Sequence, residues 1–71
     1  MKKAILTIQF YDKSDNVINT EAYETYYIPN IGDAVNNPKE GSTTYYVTQK
    51  EYYFDNELER CHVIIYAKAK I

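Results

Sequence analysis

Two runs rich in β-branched and aromatic residues, 43–54 and 60–70, flank the polar break Asp55-Asn56-Glu57-Leu58-Glu59. This pattern predicts a long β-hairpin, and nothing else in the chain constrains its fold as strongly. Five of the nine Tyr lie in it, at Tyr45, Tyr46, Tyr52, Tyr53 and Tyr66. The sole Arg, Cys and His stand side by side as Arg60, Cys61 and His62. The working surface is therefore expected on this hairpin.

The remaining residues also read as strands. In residues 2–11, Ala4, Leu6, Ile8 and Phe10 alternate onto one face, which is expected to be the core face. Residues 12–16, Asp-Lys-Ser-Asp-Asn, are turn formers that bond their own backbone. Residues 17–28 read as a second strand. At about 3.4 Å per residue it would span roughly 40 Å, so it is expected to bend, bulge or coil. Pro29 and Gly32 predict a tight turn feeding a short strand at Ala34 and Val35, with Ile31 and Val35 in the core. Residues 36–42 are expected to be the most open loop. In the last run Cys61, Val63, Ile65, Ala67 and Ala69 share the core face, with His62, Ile64, Tyr66, Lys68 and Lys70 on the other. Ile5, Tyr11, Ile64 and Tyr66 then fall on the face that should be polar, and Tyr26 and Ile28 repeat the anomaly at the end of the second strand. No segment of helix length has a 3.6-residue period that could cover them. A second copy of the chain could, so a homo-oligomer is expected.

Composition narrows the function classes. Seventy-one residues make one domain, with a core that supplies about 3–5 kcal/mol of net stability. A single Cys excludes an internal disulfide and fits a reducing compartment. No apolar run approaches the roughly 20 residues of a membrane span. The opening apolar run fails at Gln9 with no cleavage site after it, so a soluble cytoplasmic protein is expected. The net charge is −2, which lacks the cationic field that duplex nucleic acid requires. The abundance of Tyr, Ile, Asn and Lys is what AT-rich codons encode, so single Tyr and Lys residues are weak signals.

The motif Pro29-x-Ile31-Gly32-Asp33-x-Val35, followed by Tyr45-Tyr46-Val47 and Cys61-His62-Val63-Ile64-Ile65-Tyr66, resembles small SH3-like β-barrels. Many short proteins of phages and mobile elements share this layout. The likeness runs from about residue 28 to 66, and the long first hairpin departs from a minimal barrel. The expected fold is all-β, mostly antiparallel and about five-stranded, either an SH3-like barrel or a strongly coiled sheet.

No catalytic centre is expected. Cys61 and His62 are strand neighbours and point to opposite faces, so thiol and imidazole cannot meet within one chain. His62 lacks companion ligands at metal spacing. Asp55, Glu57 and Glu59 read as a solvated turn rather than an acid–base pair or a cation site. There is no phosphate-cradling Gly loop and no nucleophile elbow, and no cofactor is expected. The adjacent pairs Tyr45/Tyr46 and Tyr52/Tyr53 offer one ring to each face and could stack a planar ligand. With Lys50 and Arg60 on phosphates and His62 nearby, they would form nucleotide pockets between protomers. The phage-type resemblance implies a counter-defence protein that sequesters a nucleotide signal. The alternatives are a module that masks a host defence enzyme and a minor structural phage protein.

Overall fold

The computed structural model describes residues 3–57 and 60–70. Five strands form one sheet: β1 (Ala4–Tyr11), β2 (Val17–Thr25), β3 (Ala34–Asn37), β4 (Glu40–Asp55) and β5 (Arg60–Ala69). Their order is β2-β1-β5-β4-β3. Three pairings are antiparallel, and β1 runs parallel to β5. The sheet curls into a half-barrel, and no helix occurs among the described residues. The all-β, mostly antiparallel, five-stranded expectation therefore holds, as a strongly coiled sheet.

Alternation sets the core. Leu6, Ile8 and Phe10 of β1 and Val63, Ile65 and Ala67 of β5 are buried on the concave side, joined by Tyr45 and Val47 of β4. Phe10 meets Tyr45 edge to face, with ring centroids 5.1 Å apart. Cys61 and Ala69 pack half-buried at the margins. The Asp12 carboxylate organises the β1–β2 turn. Its Oδ1 accepts from Ser14 N at 2.8 Å and from Asn16 N at 2.9 Å. The backbone bond from Asn16 is the chief cause holding this carboxyl below its ordinary range. Asp15 closes the turn at φ 66°, in the left-handed region that Asp tolerates better than most residues.

β2 ends at Thr25, so the strand that must coil is β4 instead. Sixteen flat residues would span about 54 Å at about 3.4 Å each, yet the molecule is 40 Å on its longest axis. A bulge between Val47 and Gln49 gives β4 an extra residue, Thr48, whose hydroxyl donates to Tyr66 O at 3.1 Å. It also switches parity. Before it Tyr45 and Val47 face the core; after it Lys50, Tyr52 and Phe54 pair with Ile65, Val63 and Cys61 on the concave side.

Residues 26–33 carry the chain from β2 across the concave side to β3. Gly32, at φ +95°, donates its N–H to Val47 O at 2.8 Å, and Val47 N donates to Asp33 O at 3.0 Å. Two expectations fail here. Ile31 is 64% exposed, and Ile28 packs on the core with Val35 instead. Holding Gly32 and Asp33 on the backbone of Val47 places the side chain just before them on the outside of the turn. Residues 36–42 are not an open loop either. β3 runs to Asn37, Pro38 and Lys39 make the turn, and β4 begins at Glu40.

Asn37 is 1% exposed, and its burial has a partner across the half-barrel. Asn37 Nδ2 donates to Asn19 Oδ1 at 2.7 Å, and Asn19 Nδ2 returns a bond to Asn37 Oδ1 at 3.0 Å. The two edge strands β2 and β3 are thus clipped together by side-chain amides rather than by a backbone ladder.

Candidate functional site

The expected ligand residues divide between the two faces of the sheet, and one leaves the surface. Tyr45 is 1% exposed in the core and cannot stack a ligand. Its neighbour Tyr46 is half-buried on the convex face, with Lys70 Nζ 5.4 Å from its ring centroid. Lys50 and Tyr52 lie on the concave face. Tyr53, Arg60 and His62 lie on the convex face, where the Tyr53–His62 and Asp55–Arg60 pairs sit side by side. A single protomer does not bring the seven together.

The concave half forms an open trough. Tyr23 of β2 and Tyr52 of β4 stand at the two ends of one cross-sheet row, with Leu6 and Val63 as its floor. Tyr52 is 47% exposed and stacks on Phe54, which is 79% exposed; the rings are 13° from parallel with centroids 6.4 Å apart. Lys50 Nζ lies 5.4 Å from the Tyr52 centroid and donates to Asn30 Oδ1 at 3.2 Å. Beside this contact the crossover and the sheet enclose a cleft of about 480 Å3, lined by Leu6, Tyr27, Ile28, Pro29, Asp33, Ala34 and Val35. Tyr27 at its mouth is 84% exposed. Sequence reasoning passed over Phe54, although its place two residues beyond Tyr52 was the available signal.

The convex half is governed by carboxylates. Arg60 Nη1 lies 3.4 Å from Glu24 Oε1, an exposed pair of little strength. The Tyr66 hydroxyl donates to Glu51 Oε1 at 2.5 Å, and this bond is the first cause pushing the phenol up to about 12. The charge of the same carboxylate raises Tyr53. Tyr11, Tyr66, Thr48, Gln49, Lys68 and Asp15 line a second cleft of about 460 Å3, with Lys68 Nζ bonded to Asp15 Oδ1 at 2.8 Å. The apolar residues expected on this face, Ile5, Ile64, Tyr11 and Tyr66, are half-buried.

The Tyr66–Glu51 bond gives a pH prediction. The neutral phenol is the donor, so the folded value of about 12 lies above the ordinary 10.0. The bond's stabilisation is fully present below pH 10 and is lost as pH rises through 12. Ultraviolet titration should show a phenol that ionises only near pH 12, and Glu51→Gln should return it towards the ordinary range. An unchanged titration curve in that variant would refute the pairing.

Among the described residues no group of three or more His, Cys, Asp or Glu could hold a metal, and no helix is long and apolar enough to cross a membrane. Of the acidic turn, Glu59 lies outside the described residues, and Asp55 Oδ1 accepts from Glu57 N at 3.0 Å. Comparison with known protein families, characterised proteins and solved structures returns no match.

Proposed function

We propose that this chain is a non-catalytic binding protein that docks on another protein through the mouth of its concave face. The observation that carries this reading is the set of large apolar side chains left exposed there: Tyr23, Tyr27, Tyr52 and Phe54, with Ile31 on the crossover. An exposed apolar surface of this kind in a small domain is characteristic of an interface with another protein. Glu21 stands across the trough from Lys50, and Asp33 borders the cleft. An apolar protrusion ringed by basic residues is the complementary partner. In the phage setting that the sequence resemblance implies, that partner is a host enzyme held inactive.

A second reading, nucleotide capture, is favoured by Lys50 over the Tyr52 ring beside Phe54. It is the weaker one, because Lys50 is the only expected phosphate ligand on that face and Arg60 lies on the opposite one. The test runs both arms. Immobilised wild-type protein should retain one host protein at near-stoichiometric yield. The double variant Tyr27→Ser/Phe54→Ser should lose it, and Val17→Ser, at the far end of β2, should keep it. Calorimetry against cyclic and linear adenine nucleotides should show no tight binding. Micromolar nucleotide binding that disappears in Lys50→Ala would replace docking with capture.

A further inference from the structure

The outer edge of β4 is open along its distal half. β3 pairs with β4 only between Glu40 and Tyr46, and the backbone of Val47 is taken by Gly32 and Asp33. From Lys50 to Phe54 no other described strand lies beside β4 opposite β5. Alternate N–H and C=O groups of an antiparallel strand point away from its partner, so this stretch presents an unpaired ladder. It has no Pro and no bulge beyond Thr48; the charges of Lys50 and Glu51 are what guards it, so a partner strand must set neutral or opposite groups against them.

We propose that this edge pairs with the same edge of a second copy, antiparallel and centred on Tyr52, giving one continuous ten-stranded sheet. The identity of the occupant follows from the register. Two-fold pairing of a strand with itself puts residue i opposite residue j with a constant sum. Opposed side chains must share a face, so the centre must fall on a residue and not between two. Centring on Lys50 or Glu51 sets that charge against its own copy, centring on Tyr53 sets Glu51 against Asp55, and centring on Phe54 sets Glu51 against Glu57. Like charges directly opposite are destabilising. Centring on Tyr52 opposes Lys50 to Phe54, Glu51 to Tyr53 and Tyr52 to itself, and no like charges meet. These are a cation on a ring, a carboxylate beside a phenol and an aromatic pair, each favourable across strands. The two concave faces then lie on the same side and their aromatic troughs become contiguous. This pairing does not depend on what the concave mouth binds.

Two measurements test it. Light scattering at about 100 μM should give twice the 8.4 kDa of one chain, and Tyr52→Asp, which opposes like charges on the axis, should return it to a monomer. The register is tested by single cysteines in a Cys61→Ala background. Opposed residues in such a pair lie about 4.5–5.5 Å apart at Cα, within reach of a disulfide. Mild oxidation should therefore link Tyr52→Cys chains at least tenfold faster than Tyr53→Cys or Phe54→Cys chains. All three sites are surface-exposed, and circular dichroism confirms that each variant is folded. A wild-type monomer at 100 μM, or fastest linkage at position 53 or 54, would overturn the proposal.

Discussion

Phe10→Ala leaves most molecules unfolded at 25 °C. Phe10 is 0% exposed and reaches from β1 over Ala67 of β5 to pack edge to face on Tyr45 of β4. Removing a fully buried Phe costs about 3–5 kcal/mol, because the transfer energy is lost and the surrounding shell relaxes only in part. A chain of this size has about 3–5 kcal/mol in all. The expected result is a circular dichroism spectrum without its strand signal, or a urea midpoint close to zero. Phe54→Ala is the control: Phe54 is 79% exposed, and its loss should move stability by about 0.5 kcal/mol or less. A Phe10→Ala protein that melts within a few degrees of wild type would show that the concave face is not the core.

Asn37→Ala is expected to cost about 2 kcal/mol, the loss of its bonds to Asn19 and Lys39 N, although Asn19 Nδ2 keeps Glu21 Oε2 at 2.9 Å. The substitution removes both amide bonds to Asn19 and also the acceptor for Lys39 N, which lies 3.0 Å from Asn37 Oδ1. Lys39 Nζ, 4.0 Å from Glu21 Oε2, is an exposed ion pair across the same gap and cannot replace them. Urea denaturation of Asn19→Ala, Asn37→Ala and the double variant should give a coupling of about 1 kcal/mol or more, since the two residues form one reciprocal unit. Additive losses would mean that the half-barrel holds its curl without the clip.

The sequence made the core of β1 and β5 legible because strict alternation places Leu6, Ile8 and Phe10, then Val63, Ile65 and Ala67, on one face. β4 was not legible in the same way. Counting by twos from Tyr45 would send Tyr53 inward, whereas Thr48 shifts the phase and brings Tyr52 and Phe54 to the concave side. No residue type at that point announces a bulge; beside it, Val47 is bonded through its backbone to Gly32 and Asp33, far away in the sequence. The adjacent pair Tyr45/Tyr46 read the same from either side, and only the position of Phe10 determines which ring is buried. Asn37 looked like a loop residue because its neighbours are Asn, Pro and Gly. The partner that justifies its burial lies 18 positions away at Asn19. The aromatic surface was anticipated on the hairpin, but its assembly into two opposed faces required the parity change.

The parallel pairing of β1 with β5 has a kinetic consequence. Leu6 lies beside Val63 and Ile8 beside Ile65, so the central seam joins strands from opposite ends of the described chain. The β4–β5 hairpin can zip from its own turn on the microsecond scale. The seam must close a loop of more than fifty residues before any of its contacts form, a loss of chain entropy that local pairing does not offset in advance. Folding is therefore expected to be slow for a chain of this length, in the milliseconds-to-seconds range of topologies dominated by distant contacts. Until the seam closes, the aromatic arm stands apart from the β1–β2 hairpin with its ladder unpaired on both sides, the interval in which intermolecular strand pairing competes most directly with folding.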